Sequence, residues 1–142
     1  MDVLFLDANI FFAATASNTG ASHFLFELGE QKHLKLISSF YALQEARRNI
    51  EKKLGPDKIN TFLRLVSCLS KIDKTETDDN ETAKYQHLIV AKDLPILLSA
   101  QKMKADFLIT LDKKDFKTPK LSNANLPFKI MLPGEYVQQF VR

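Results

Sequence analysis

Apolar residues along this chain fall into two rhythms, short uninterrupted runs and stripes at helical spacing, and their order sets the expected fold. Val3-Leu4-Phe5-Leu6 is too short for a helix and reads as a buried strand stopping at Asp7. A helical piece over about 9–15 follows, then the break Ser17-Asn18-Thr19-Gly20. Phe24, Leu25 and Leu28, set against Glu27, Glu30 and Gln31, predict a helix over 21–31. Leu34-Lys35-Leu36-Ile37 alternates as a second strand, and Ser38 or Ser39 then caps a helix over about 39–53 that closes at Gly55-Pro56. Asp57 opens the next helix, through Ile59, Phe62, Leu63, Val66 and Leu69. A short strand at 70–73 precedes an exposed loop from Asp73 to Glu81, where five acids face one lysine and no apolar residue. Helix returns at about 81–89 and 94–104. Asp106 to Leu111 forms a strand ending at Asp112, Phe128 to Leu132 forms the last strand, and Pro133-Gly134 leads into a C-terminal helix.

Strands separated by helices define an α/β chain with a short, mostly parallel sheet covered on both faces. A length of 142 residues fits one domain over 1–142, with no repeat or linker to divide it. Hydrophobic residues make up 45% and charged residues 26%, which excludes general disorder. Cys68 is the sole cysteine, so no intrachain disulfide can form, and the three histidines lack close metal spacing. The N-terminus carries Asp2 and Asp7 in place of a basic segment, and no apolar run approaches bilayer length; the expectation is a cytoplasmic protein with no membrane partner. Net charge is only +3, but residues 92–129 hold eight lysines against four acids. A positive field of that kind suits a polyanion, although a solvated lysine face reads the same way.

The candidate chemistry lies in carboxylates. In open parallel sheets, ligands collect beyond the carboxyl ends of strands where strand order reverses. Asp7 and Asp112 each follow an apolar strand, Asp93 starts the helix from Leu94 to Lys104, and Glu45 lies one turn into the helix after the second strand. Acids brought within a few ångströms repel unless a cation neutralises them. Mg²⁺ and Mn²⁺ favour such oxygen ligands and retain waters, one of which can attack a phosphodiester. No histidine, cysteine or serine near these acids stands as a covalent nucleophile or base.

At these residues the chain resembles the PIN-domain nucleases, including the VapC-like toxins of toxin–antitoxin pairs. Leu6-Asp7-Ala8-Asn9-Ile10 matches the family's first motif, and Glu45 within Ala42-Leu43-Gln44-Glu45-Ala46-Arg47 matches its helical glutamate. The strongest block is Lys92-Asp93-Leu94-Pro95-Ile96-Leu97-Leu98 followed by Ala105-Asp106-Phe107-Leu108-Ile109-Thr110-Leu111-Asp112-Lys113-Lys114-Asp115-Phe116. The resemblance implies a three-layer α/β/α sandwich with Asp7, Glu45, Asp93 and Asp112 as the catalytic acids. It further implies Mg²⁺ or Mn²⁺ held by Asp7, Asp93, Asp112 and Asp115, an RNA substrate, a cognate antitoxin and a homodimer. Ala105 stands where the family often has Gly, and the segment 71–91 matches no family motif.

Each acid also has a structural reading. Asp7 could simply turn the chain after a strand, Asp93 could cap the helix opened by Leu94-Pro95, and Asp112 with Asp115 could form a polar turn. Glu45 points away from the apolar stripe of Leu43, Ala46, Ile50 and Leu54 and could pair with Arg48 or Asn49 on the surface. Asn9 and Thr110 read as groups that orient carboxylates by hydrogen bonds. Arg47, Arg48, Lys92, Lys113 and Lys114 flank the acids and could hold RNA phosphates, or be merely solvated. Tyr41, Phe116 and the histidines read as packing or surface residues. A haloacid-dehalogenase phosphatase would want Asp where Asn9 stands, and a receiver domain's acceptor Asp and Lys cannot be placed. The rival reading is a non-catalytic RNA- or protein-binding module on the same fold, whose degenerate members would lack some of these acids. Toxin and housekeeping nuclease look alike from this chain.

Overall fold

The computed structural model describes residues 1–74 and 78–142. The chain runs β1 (Val3–Leu6), α1 (Ala8–Ala16), α2 (Ala21–Glu30), β2 (Lys35–Ser39), α3 (Phe40–Lys53), a 3₁₀ turn at Pro56–Lys58 and α4 (Ile59–Val66). It continues β3 (Lys71–Asp73), α5 (Asp79–Tyr85), α6 (Leu94–Lys102), β4 (Phe107–Ile109), α7 (Lys113–Phe116), α8 (Pro119–Ser122), β5 (Lys129–Met131) and α9 (Pro133–Phe140).

The described strands form one sheet in the order β3-β2-β1-β4-β5, parallel at every pairing. Side chains on a strand alternate between faces, and two clusters record that alternation. Leu4, Leu6, Leu36 and Ile109 pack with α1, α2, α4 and Tyr136 of α9 on one face. Phe5, Ile37 and Leu108 pack with α6, Phe116 and Leu121 on the other. A parallel sheet covered on both faces has near-continuous apolar strands, which is why the short runs of the sequence carry no polar alternation. The result is the three-layer α/β/α arrangement.

Chain order explains where a site can form. β1 sits at the centre; the chain builds β2 and β3 to one side of it, then crosses to build β4 and β5 on the other. The reversal opens a crevice past the carboxyl ends of β1 and β4. α3 begins at the same rim, because the Ser39 hydroxyl accepts the Ala42 N–H at 3.1 Å and caps it directly off β2. α3 ends with Lys52 and Lys53 in its last turn, where cations complement the helix dipole. Gly55 then takes φ +98°, a left-handed conformation that glycine adopts without Cβ strain.

Several expected boundaries shift. The short strand expected at 70–73 is β3, but Asp73 at its end is not exposed, its side chain being only 8% accessible, and Asp79 already starts α5 within the expected acidic loop. Asp73 is drawn in by the Ser99 hydroxyl at 3.0 Å and the Lys102 ammonium at 3.4 Å, partners on α6 that a local reading cannot see. Residues 75–77 of that loop lie outside the described residues. The strand expected over 106–111 is only Phe107–Ile109; the single-turn helix α7 stands where a polar turn was one reading, and α8 lies in a stretch to which no element was assigned.

Gly29 sets how closely α2 lies on the sheet. A Cβ there would stand 2.6 Å from Leu36 Cδ1 and 2.9 Å from its Cγ, the branch point of a buried side chain. Overpacking costs about 1–3 kcal/mol, against a gain of at most about 1 kcal/mol in helix propensity. Gly29→Ala should therefore lower stability by about 1 kcal/mol in urea unfolding. A stabilised variant would show that α2 and β2 separate freely.

Candidate functional site

β1 and β4 meet at the Asp7 N–H, which donates to the Ile109 carbonyl at 3.0 Å and closes the ladder between them. The Asp7 side chain turns back onto the start of α1, where Oδ1 accepts the Ala8 N–H at 2.7 Å. Its Oδ2 accepts the Thr110 hydroxyl at 2.7 Å and Asn9 Nδ2 at 3.3 Å. Thr110, fully buried, uses its oxygen in turn to accept Asn9 Nδ2 at 3.2 Å and the Asp112 N–H at 3.1 Å. The Asn9 carbonyl accepts the Leu111 N–H at 3.0 Å. Asn9 and Thr110 thus bond the Asp7 carboxylate on one side and the backbone leading to Asp112 on the other.

Asp112 caps α7, accepting the Asp115 N–H at 2.9 Å through Oδ1. Asp93 precedes α6 but makes no side-chain cap; Pro95 in the first turn removes one of the N–H groups a cap would satisfy. Its Oδ2 is buried without a hydrogen-bond partner among the described residues. One carboxylate oxygen from each of Asp93, Asp112 and Asp115 lies within 4.8 Å of the others.

A cavity of about 240 Å³ opens beside this cluster and is lined by Asp7, Glu45, Asp93 and Asp112 together. Lys92, Lys53, Asn9, Asn49 and Phe12 complete its wall. Asp115 faces the neighbouring groove instead, beside Lys114 and Lys120, and its Oδ2 lies 3.9 Å from the Lys92 ammonium. Of the other basic candidates, Arg47 pairs with Glu51 at 2.9 Å, while Arg48, Lys113 and Lys114 are exposed. Phe116 is buried in the core.

Burial pushes the Asp7 carboxyl up to about 6; the Thr110 and Ala8 hydrogen bonds oppose that rise, and the Glu45 and Asp112 charges add to it. Burial likewise lifts Asp93 to about 7, aided by the neighbouring Asp115 carboxyl. Lys92 opposes this shift, and the charges of Asp115 and Asp7 reinforce it. The Tyr41 hydroxyl is also raised, by burial first and then by Glu45 and Asp93, which places it beside two of the acids. The donor set is one of oxygens around an unsatisfied buried carboxylate, which fits a hard divalent cation.

The sequence reading did not single out Lys53 or Asn49, and it set Tyr41 aside as packing or surface. A signal for all three was present. Tyr41, Glu45, Asn49 and Lys53 recur every four residues; this band along α3 brings Glu45, Asn49 and Lys53 to the cavity wall and Tyr41 to the Lys92 carbonyl at its rim. Lys53 is held there over the Phe12 ring, 5.8 Å from its centroid.

Fold and site together define a parallel α/β protein with an acidic cleft at its switch point. The chain belongs to the PIN domain family, whose model matches residues 4–120. No curated protein sequence matches it significantly. Among solved structures it is similar to a chain of the VapBC2 complex of Rickettsia felis bound to a promoter DNA fragment, with 22% identity and TM-score 0.65, covering 92% of this chain and 98% of that one. It is similar also to a chain of DNA-bound VapBC from Salmonella typhimurium, with 17% identity and TM-score 0.65 over 94% and 99% of the two chains. A third is the sarcin-ricin loop cleaving toxin VapC20 of Mycobacterium tuberculosis, with 17% identity and TM-score 0.57 over 87% and 95%. At these identities the likeness is one of fold.

The raised Asp7 carboxyl has a consequence for stability without cation. Its folded value, about 6, exceeds the ordinary 3.8, so the unfolded chain ionises first as pH rises. Through this group alone the metal-free fold is favoured below about pH 4 and loses on the order of 3 kcal/mol by about pH 7. Asp7→Asn removes that dependence. In EDTA, the stability of the variant relative to wild type should climb steadily between about pH 4 and about pH 7. A difference that stays flat with pH would contradict this reading of Asp7.

Proposed function

We propose that this protein is a divalent-metal-dependent endoribonuclease, built as a single nuclease domain over residues 1–142 and acting as the toxin of a toxin–antitoxin pair. The observation that carries the proposal is the meeting of one carboxylate oxygen each from Asp93, Asp112 and Asp115 within 4.8 Å of one another, with Asp93 Oδ2 buried and without a hydrogen-bond partner among the described residues. Family membership and the similarity to VapBC toxin–antitoxin structures support it. VapC20, described as cleaving the sarcin-ricin loop, supports RNA as the substrate class.

Asp7, Asp93 and Asp112 would hold Mg²⁺ or Mn²⁺ in the cleft, with Asp115 reaching from the adjoining groove and Glu45 completing the acid set from α3. The bound cation supplies an activated water and neutralises charge developing on the phosphoryl and leaving oxygens. The chain's own part is placement. Asn9 and Thr110 fix the Asp7 carboxylate, so its lone pairs are aimed before any ligand arrives. Lys53 and Lys92 stand on the cavity wall where phosphate oxygens of a bound strand would lie. Lys113, Lys114 and Arg48 extend a basic approach, while Arg47 is engaged by Glu51. A cognate antitoxin would be its partner in the cytoplasm, and the toxin would act as a homodimer.

Saturating Mn²⁺ should raise the melting temperature, since about 100-fold excess over Kd is worth roughly 2.7 kcal/mol. RNA cleavage should stop in EDTA and return with Mg²⁺ or Mn²⁺. Asp93→Asn keeps shape but removes a charged oxygen, and should lower cleavage by roughly 100-fold or more, beyond the loss typical of a supporting group. Cleavage that persists in excess EDTA would refute the metal mechanism. Absence of Mn²⁺ binding would favour a non-catalytic binding module on the same fold.

The flanking lysines should separate from the metal site. Lys113→Ala should weaken RNA binding and reduce the slope of log affinity against log salt by about one, with Mn²⁺ affinity unchanged. An unaltered salt slope would place the RNA track elsewhere.

A further inference from the structure

The acids of the cleft are anchored unequally. Asp7 is locked by three hydrogen bonds, and Asp112 by its cap to Asp115 and by Thr110. Asp93 has neither kind of support: its side chain caps nothing, and Oδ2 has no partner among the described residues. Its backbone N–H donates to the Val90 carbonyl at 3.0 Å, a bond internal to the same loop. The loop runs from the end of α5 to α6.

A side-chain hydrogen bond links this loop to α3. The Tyr41 hydroxyl donates to the Lys92 carbonyl at 2.6 Å, across 51 positions of sequence. Tyr41 lies one turn before Glu45 on the same face of α3. We propose that Tyr41 is a positioning residue that sets the Asp93 carboxylate for cation binding by holding the Lys92–Asp93 peptide against the helix that bears Glu45. The proposal rests on the metal-site reading above.

The physical case is the following. α6 is seated by Leu94, Ile96, Leu97 and Ala100, so the helix body is fixed. What the helix does not fix is the rotation of the peptide entering it, which decides where the Asp93 side chain leaves the backbone. A hydrogen bond to the Lys92 carbonyl removes that freedom directly. The same bond aims Lys92, whose ammonium reaches to 3.9 Å from Asp115 while its side chain stays 72% exposed. One hydroxyl thus sets both an acid and a cation of the cleft. Outer groups that orient ligands in this way are commonly worth 10–100-fold in metal affinity.

Tyr41→Phe keeps the ring and deletes only the hydroxyl. In the full chain, calorimetric titration with Mn²⁺ alone should show a dissociation constant raised roughly ten-fold or more. With RNA, kcat at fixed Mn²⁺ should fall while KM changes by less than about twofold, because no substrate contact is removed. Amide exchange at residues 91–94 should quicken, and the metal-free melting temperature should barely move. In a cycle with Asp93→Asn, the two losses in Mn²⁺ affinity should not add, since Tyr41 acts through Asp93. Unchanged Mn²⁺ affinity in Tyr41→Phe, beside normal binding by wild type, would sink the positioning role alone. A raised KM with unaltered Mn²⁺ affinity would overturn it too, making Tyr41 a contact for RNA. If wild type itself binds no Mn²⁺, the metal-site reading falls together with this inference.

Discussion

Taking a carboxylate out of water at the centre of a parallel sheet is costly, and the middle of this molecule is organised around Asp7, which is 4% exposed. The charge sits past the end of β1, where backbone donors of α1 begin and where β4 delivers Thr110. Two of its bonds are short, at 2.7 Å, as expected of donors aimed at an ionised acceptor. They do not offset burial entirely, since the group stays well above its ordinary range. What remains is a carboxylate held in place and under-stabilised, a state a cation can relieve. The strand order, the Thr110 side chain and the Asn9 amide each serve that one position.

Much of this was legible along the chain because it depends on local pattern. Apolar runs ending in Asp marked β1 and the region of β4, and the Ser38-Ser39 pair marked the start of α3, with Ser39 the cap the structure uses. Boundaries failed where the deciding contact was distant. Asp73 reads as part of an acidic loop until Ser99 and Lys102 of α6 draw its side chain inward. α7 and α8 are single turns, too short to impose helical spacing on their side chains, so no periodicity announces them. The site was legible in kind more than in detail. Sequence could name Asp93 but could not show that its oxygen would be left unsatisfied. Spacing from Glu45 could have drawn Asn49 and Lys53 to the cleft, whereas the Tyr41 bond ends on a backbone carbonyl, which no residue type betrays.

The cleft is also assembled from parts of very different sequence separation. Asp112 and Asp115 are neighbours, and Asp7 joins them through the pairing of β1 with β4. Glu45 arrives with α3, and Asp93 with α6. Neither belongs to the Asn9–Thr110 network, so their approach depends on how two helices from opposite faces of the sheet meet at its rim. Ala42 and Ala46 on α3 are fully buried and contribute to different core clusters, so α3 bridges both layers at that rim. Small residues there let the helix come close enough for its next turn to look into the crevice.

That assembly fixes how protons and a cation would compete for the cleft. Asp7 stands at about 6 and Asp93 at about 7 without metal, so near neutrality the cluster is only partly ionised. Ligation needs the ionised form, and binding must therefore release protons in this range. Affinity for a hard divalent ion would rise with pH until both groups are fully ionised, then level off. Lys92 works in the same direction as the cation, lowering Asp93 while leaving room beside it. The lysine is 72% exposed and its charge is screened by solvent, so it can moderate the repulsion among the acids without replacing the ion.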